Sequence, residues 1–277
     1  MTTTNNYVHG YTGRESERLF DQADSVRALI HHDTAFPPGS LVLEAGCGIG
    51  AQTLTLTQTS PAARIMALDI AAASLQQARA LAEAQAWPNV GQLQADIYAL
   101  PFPPAGFDHL FISYLLEHLP DPLGGLLALK KGLKPGGSVV VVEGDHGSCY
   151  FHPATAEAQR AWQALITVQA ALGGNSLIGR ELYPLLRQAG FQNVVVSPRM
   201  VYIDHSQPEL MDLFVRRTIN PMVEGVKEQA MAMGLLDQAA WQKGIDDLYR
   251  LADSPAGTFC YTFFKAVAVK PLERGEE

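Results

Sequence analysis

Short apolar runs alternate with stripes of apolar residues at helical spacing along the first half of the chain. The runs predict five strands, at 41–44, 64–69, 90–95, 107–113 and 138–143. The fifth contains four consecutive valines, a pattern typical of a strand that is buried on both faces of a parallel sheet. Strands that alternate with helices predict a doubly wound α/β fold.

Helical patterns precede, separate and follow these strands. The first predicted helix spans 14–31, where Leu19, Ala23, Val26 and Ile30 form one apolar stripe. In the second half, helices are predicted at 153–172 and 180–189, a strand at 191–201, a mostly helical segment at 208–252 and a last strand at 259–269. We interpret the helical segment between the last two strands as an insertion that forms a lid.

These elements predict one domain over 1–277. Its parts are an N-terminal helical cap (1–40), an α/β core (41–203 and 257–270) and the helical lid (204–256).

Composition narrows the class of protein. Hydrophobic residues make up 47% of the 277 residues, which excludes an intrinsically disordered chain. The net charge of −8 argues against a general nucleic-acid binder. No apolar run approaches the length of a membrane span, the N-terminus lacks a hydrophobic signal core, and three scattered cysteines do not suggest a disulfide framework. We therefore expect a cytoplasmic protein without a membrane partner.

A glycine-rich turn follows the first strand and is the first candidate for chemistry. Gly46, Gly48 and Gly50 form G-x-G-x-G before a helix, where backbone N–H groups can approach a ligand closely. The third glycine comes one residue earlier than in the dinucleotide-binding pattern, and no P-loop is present. By itself the turn is compatible with a purely structural role, a nicotinamide cofactor or another nucleoside-containing ligand.

Two acids after the next strands strengthen the ligand-binding interpretation. Asp69 ends the second strand about 20 residues after the turn, where a carboxylate can accept hydrogen bonds from ribose hydroxyls. Asp96 follows the third strand, with Ile97 beside it as an apolar wall for a base.

In this order, several motifs resemble a class I S-adenosylmethionine-dependent methyltransferase, of the type found in ubiquinone and menaquinone biosynthesis. The motifs are E-A-G-C-G-I-G at 44–50, A-D-I at 95–97, F-D-H-L-F at 107–111, L-E-H-L-P-D-P at 116–122 and L-K-P-G-G at 133–137. The resemblance covers 41–143 and implies a seven-stranded sheet of order 3-2-1-4-5-7-6 with an antiparallel last strand.

The resemblance also implies a role for each matching residue. Glu44 would orient the glycine turn by contacting its backbone, Gly46 and Gly48 would lie against the methionine part, and Asp69 would hold the ribose. The remaining expected contacts of the cofactor are Ile70, Asp96, Ile97, Ser113 and His118, together with Tyr11 and Arg18 from the N-terminal segment. The product would be S-adenosylhomocysteine.

The segment 143–152 concentrates ionisable and aromatic residues after the fifth strand. We hypothesise that His146, with His152 as a second candidate, is the base or substrate-orienting residue, because imidazole titrates near neutral pH. The alternative is a polar loop whose histidines are satisfied within the protein. No metal is expected.

The predicted function is methyl transfer to a small molecule held under the lid. The apolar residues of the lid are compatible with a substrate pocket, with the face of a homodimer or with an ordinary core. Two alternatives stay open: a catalytically silent cofactor-binding protein that acts through partners, and a nicotinamide-dependent oxidoreductase.

Overall fold

The structure is a computed structural model that describes residues 13–272, without the side chains of 13–17 and 20. Its helices are α1 (Gly13–His31), α2 (Ala51–Thr59), α3 (Ala72–Ala84), α4 (Pro122–Gly132), α5 (Ala156–Ala171), α6 (Leu182–Gln188), α7 (Pro208–Leu210), α8 (Asn220–Glu224), α9 (Lys227–Ala232) and α10 (Gln238–Asp253). Its strands are β1 (Leu41–Ala45), β2 (Arg64–Asp69), β3 (Val90–Gln94), β4 (Phe107–Ser113), β5 (Leu133–His152), β6 (Gln192–Asp204) and β7 (Thr258–Val269).

One seven-stranded sheet connects the strands in the order β3-β2-β1-β4-β5-β7-β6, which confirms the predicted topology. The pairs β1–β2, β1–β4, β2–β3 and β4–β5 are parallel. Reciprocal backbone bonds join the start of β5 to the chain just after β7, from Gly136 N–H to the Lys270 carbonyl and from Lys270 N–H to the Gly137 carbonyl. Because these bonds tie the beginning of one strand to the end of the other, β7 runs antiparallel to β5.

Strand β5 is 20 residues long, whereas the sequence pattern predicted a strand over 138–143 only. The strand already includes residues 133–137, because Gly136 and Gly137 pair with Lys270. The segment 143–152 is likewise strand, so its interpretation as a polar loop was wrong. Both differences arise from pairing with a strand more than 100 residues away, which a local pattern does not contain.

The two faces of the sheet bury different side chains, and this alternation places the later site residues. Leu110 and Ile112 of β4 join a cluster with α4 and α6, whereas Phe111 packs with Val42 of β1 and Leu56 of α2. Since successive side chains of a strand point to opposite faces, Glu44 and Ser113 lie on the same face as Val42 and Phe111.

The chain between β6 and β7 is helical, as predicted. Between α7 and α8 it contains a nine-residue π-helix, Met211–Ile219, with buried Phe214, Val215 and Ile219.

Backbone contacts divide the chain into two compact units. The first contains the described residues up to Ala28, Asp145–Leu177 and Met200–Thr262, and its longest helices, α5 and α10, pack against each other. The second contains Leu29–Gly144, Ile178–Arg199 and the described residues from Phe263, and it holds strands β1 to β4. Within 13–272, no helix combines the length and the apolar character that crossing a membrane requires.

Candidate active site

The glycine turn after β1 is fixed by the neighbouring strand. The N–H groups of Gly46 and Cys47 donate to the Leu68 carbonyl at 2.8 and 2.9 Å. Gly46 has φ +75°, and a Cβ there would meet Leu115 Cδ1 at 2.9 Å, so the position excludes a side chain. Gly48 has φ +53°, and a Cβ there would meet nothing within 4 Å. The turn is therefore rigid at Gly46 and open at Gly48.

Asp69 at the end of β2 lies against this turn. Its Oδ2 accepts the Gly48 N–H and its Oδ1 accepts the Ala71 N–H, both at 2.8 Å. Burial raises the pKa of Asp69, while these backbone donors act in the opposite direction. Each carboxylate oxygen has a further lone pair with which it can accept a bond from a ligand hydroxyl.

Glu44 does not make the predicted contact with the turn. Its Oε2 accepts a bond from the Thr53 hydroxyl of α2 at 2.6 Å, and its Oε1 has no hydrogen-bond partner among the described residues. The side chain is 2% exposed, and burial raises its pKa to about 8, with a smaller contribution from the charge of Asp69. The Glu44 carboxyl is thus held by α2, and its buried Oε1 can accept a hydrogen bond from a ligand.

Ser113 ends β4 on the same face of the sheet as Glu44. Ala45 pairs with Ile112, so Ser113 lies one residue beyond this pair, beside the glycine turn. The Ser113 hydroxyl is buried, and the described part of the chain offers it no hydrogen-bond partner.

The candidate adenine contacts differ in exposure. Asp96 is exposed, and its Oδ1 accepts the Tyr98 N–H at 2.9 Å, which caps the short 3₁₀ turn Ile97–Ala99. Ile97 is buried in the core cluster, while Ile70 is 44% exposed at the end of β2. Ile70 is therefore the more accessible apolar surface of the two.

Glu143 on β5 organises the turn after β4, a role that the sequence did not indicate. Its Oε1 accepts the N–H groups of Leu115 at 3.0 Å and Leu116 at 2.8 Å. Burial and, to a lesser extent, the nearby charge of Glu117 raise its pKa well above the ordinary value. The turn that Glu143 holds carries His118, whose Nε2 lies 3.6 Å from Glu117 Oε1. An acid that directly follows four valines was the signal for a buried carboxylate.

His146 lies in the first unit, in a network of buried polar bonds. Its Nδ1 is 2.7 Å from the hydroxyl of Tyr261 on β7, and its N–H donates to the Ser176 carbonyl at 2.9 Å. The Trp162 indole N–H of α5 donates to the His146 carbonyl at 2.8 Å. Sequence reasoning missed Tyr261, because it is 115 residues from His146 and only the pairing of β5 with β7 joins them.

The remaining predicted site residues lie away from the hydrogen-bond network of His146 or outside the residues that the structure describes. His152 is exposed at the end of β5, about 20 Å along the strand from His146 at 3.3 Å per residue. Arg18 is buried, and its Nη1 donates to Gln22 Oε1 at 3.0 Å. Tyr11 lies outside the described residues. Over 13–272, no group of three or more His, Cys, Asp or Glu side chains is arranged to hold a metal ion.

Comparison with known proteins identifies the family of this chain. The methyltransferase domain family matches residues 43–141, from β1 to β5. A trans-aconitate 2-methyltransferase from Deinococcus radiodurans is 30% identical in an alignment 249 residues long that covers 84% of this chain and 88% of that protein. A demethylmenaquinone methyltransferase from Lactococcus lactis is 34% identical over 128 residues, 46% of this chain and 51% of that enzyme. The chain belongs to the class I S-adenosylmethionine-dependent methyltransferases.

A solved structure supports the same fold. Phosphoethanolamine N-methyltransferase 2 from Haemonchus contortus, in complex with phosphomonomethylethanolamine and S-adenosylhomocysteine, aligns with a TM-score of 0.59 at 14% identity. The alignment covers 94% of this chain and 58% of that one. Three of the curated relatives are much longer than the region they share with this chain. The chain spans between about a third and just under two thirds of their length.

Proposed function

We propose that this protein binds S-adenosylmethionine and transfers its methyl group to a small-molecule acceptor. The observation that carries the proposal is the pair of buried oxygens at the carboxyl ends of β1 and β4, Glu44 Oε1 and Ser113 Oγ, on one face of the sheet beside the open Gly48. Buried polar atoms are nearly always hydrogen-bonded in folded proteins, and ligands of open α/β sheets bind at this edge. The two oxygens therefore favour a ligand that brings hydrogen-bond donors.

The residues present fit the parts of this cofactor. Glu44 Oε1 would accept from its ammonium group, and Asp69 would accept from the ribose hydroxyls with its remaining lone pairs. Asp96 would bind the adenine amino group, with Ile70 and Ile97 on the faces of the ring. When bound, the cofactor supplies an electrophilic methyl group on a sulfonium.

We also propose that His146 is the base that prepares the acceptor. Because Nδ1 is bonded to the Tyr261 hydroxyl, the proton would be taken at Nε2, and the backbone bonds to Ser176 and from Trp162 would keep the residue in place. The relatives' small organic acceptors, trans-aconitate and demethylmenaquinone, support a small-molecule substrate.

Calorimetry with S-adenosylhomocysteine tests the cofactor proposal. We expect the wild-type protein to bind it and Asp69→Ala to bind at least about 10-fold more weakly, since a lost charge-assisted bond is worth roughly 1.5–3 kcal/mol. Glu83→Gln, which changes an exposed acid on α3, is the matched control and should bind like the wild type. Arg18→Ala should also weaken binding.

A protein that binds NAD but not S-adenosylhomocysteine would overturn the proposal. A protein that binds S-adenosylhomocysteine but transfers no label from methyl-labelled S-adenosylmethionine to any component of a metabolite extract would support the catalytically silent alternative.

Variants of the histidine network test the base. With an acceptor found by that labelling experiment, His146→Ala should lower kcat by roughly 100-fold, the lower range for a general base. Tyr261→Phe should lower kcat less and shift the pH profile, while the affinity for S-adenosylhomocysteine stays unchanged. His152→Ala is the matched histidine control, since its side chain is exposed far along β5. Wild-type rates in His146→Ala would contradict the assignment.

A further inference from the structure

The short turn that follows β4 is a strained segment at the edge of the sheet where the glycine turn lies. Tyr114, the first residue after β4, has φ +53°, a left-handed conformation that is rare and costly for a bulky residue. Such a conformation persists only where the surrounding structure enforces it. The bonds to this turn therefore identify the residues that hold it in place.

Strand β5 supplies these bonds. The Tyr114 N–H donates to the Val142 carbonyl at 2.9 Å. The next residue of β5, Glu143, accepts the N–H groups of Leu115 at 3.0 Å and of Leu116 at 2.8 Å on one carboxyl oxygen. Two successive residues of β5 thus hold all three N–H groups of the turn 114–116.

The turn 114–116 packs against the glycine turn that follows β1. A Cβ on Gly46 would lie 2.9 Å from Leu115 Cδ1 and 3.2 Å from Leu115 Cβ, so the two turns are in close contact. Ser113, whose buried hydroxyl has no hydrogen-bond partner among residues 13–272, directly precedes the turn. All of these residues belong to the second compact unit. A displacement of 114–116 would therefore disturb both Gly46 and Ser113, two of the expected contacts of the cofactor.

Glu143 is placed to act through this turn and not on a ligand. Its side chain is 0% exposed, and it shares a face of the sheet with Val141, opposite to the face of Glu44 and Ser113. Burial of a carboxyl is costly unless it is hydrogen-bonded. An apolar side chain would fill the position without that cost, but it would not hold the two N–H groups.

We propose that Glu143 is a positioning residue of the cofactor site, which fixes the turn 114–116 against Gly46 and thereby sets the position of the Ser113 hydroxyl. A turn that is already fixed raises the affinity for the ligand, because binding then spends less free energy on ordering the site. The inference rests on the proposed function for the identity of this ligand.

Glu143→Met tests this role, because methionine is similar in length and offers no oxygen to the turn. We expect its affinity for S-adenosylhomocysteine, measured by calorimetry, to fall at least about 10-fold, since two buried N–H groups lose their acceptor. Glu143→Gln should bind within about 3-fold of the wild type, because its amide oxygen can accept the same two bonds. Its amide nitrogen would replace Oε2, which has no hydrogen-bond partner in the described part of the chain.

Asp108→Leu is the matched control, because it removes another carboxyl that holds a backbone N–H in the same unit. Asp108 Oδ2 accepts the Leu41 N–H at 2.8 Å at the start of β1, the opposite end of the strand from the glycine turn. Thermal unfolding should show a lower Tm for this variant, while calorimetry should show the affinity of the wild type. An equal loss of affinity in Asp108→Leu and Glu143→Met would reveal a general effect of stability and would overturn the proposal.

The other outcomes separate this proposal from the proposed function. Wild-type affinity in Glu143→Met, or the same loss in Glu143→Gln, would overturn the positioning role and leave the proposed function standing. A wild-type protein that does not bind S-adenosylhomocysteine would overturn the proposed function and this inference with it. If Glu143→Met does not fold, Glu143→Asp takes its place. Its carboxyl is drawn back by one methylene group, so it should also bind at least about 10-fold more weakly, and wild-type affinity would overturn the proposal.

Discussion

At the scale of single residues, two buried carboxylates of the sheet differ in their hydrogen-bond partners. Glu44 lies on β1 and Glu143 on β5 of the same sheet, and burial raises the pKa of both. Their roles differ because their partners differ. Glu143 Oε1 accepts two backbone N–H groups and holds a turn, whereas Glu44 Oε2 accepts one hydroxyl; the second oxygen of each has no hydrogen-bond partner among the described residues.

The raised pKa of Glu44 predicts a specific pH dependence of stability. The native state keeps the proton up to about pH 8, whereas the unfolded chain loses it above pH 4.5. The contribution of Glu44 to folding is therefore fully present below pH 4.5 and is lost as the pH rises to about 8. Glu44→Gln stays neutral and can still accept the Thr53 bond.

As the pH rises from 4.5 to 8, the free energy of unfolding of Glu44→Gln should increase relative to that of the wild type. We expect this difference to change by an amount on the order of 4 kcal/mol. Urea titrations at several pH values measure this difference. Two stability curves that run parallel over this pH range would contradict the assigned protonation state.

At the scale of elements, the local patterns succeeded where each element depends on its own residues. The predicted bounds of β2 and β4 agree with the structure, because Ser60-Pro61 and Gly106 interrupt the chain just before these apolar runs. The pattern failed for β5, whose two ends depend on pairing with the distant β7. It also located the glycine turn after β1 and Asp69 at the end of β2, but it did not indicate Tyr261 or the partner of Glu44, since these contacts join separate elements.

Alanine substitutions at the two glycines of the turn should affect stability and ligand binding differently. Gly46→Ala should lower the free energy of unfolding by about 2–4 kcal/mol, because its methyl group would meet Leu115 at a positive φ. Gly48→Ala should cost only about 1 kcal/mol for its positive φ, since its methyl group would meet no protein atom.

If the open side of Gly48 faces the cofactor, Gly48→Ala should weaken S-adenosylhomocysteine binding at least about 10-fold, as an added methyl group would displace the ligand from the backbone. Urea unfolding and calorimetry on the two variants measure both effects. Unchanged affinity in Gly48→Ala would place the ligand elsewhere.

At the scale of the whole molecule, net charge limits the partners. A charge of −8 opposes binding to a polyanion, so we expect affinity for a labelled single-stranded RNA of about 20 nucleotides to be no tighter than roughly 10⁻⁴ M at physiological salt. Fluorescence polarisation measures this affinity. Tighter binding that weakens steeply with salt would reveal a local basic surface and would reopen the question of the methyl acceptor.

The sequence by itself determined the order of strands and helices, the glycine turn, and the acids at the end of β2 and after β3. These features depend on periodicity and on residue chemistry over a few neighbouring positions. Only the tertiary structure decided which groups meet: His146 with Tyr261, Glu44 with Thr53, and Glu143 with the turn after β4. The physical reason is that burial and hydrogen bonding depend on how distant segments pack, and the local pattern of apolar residues does not encode that packing.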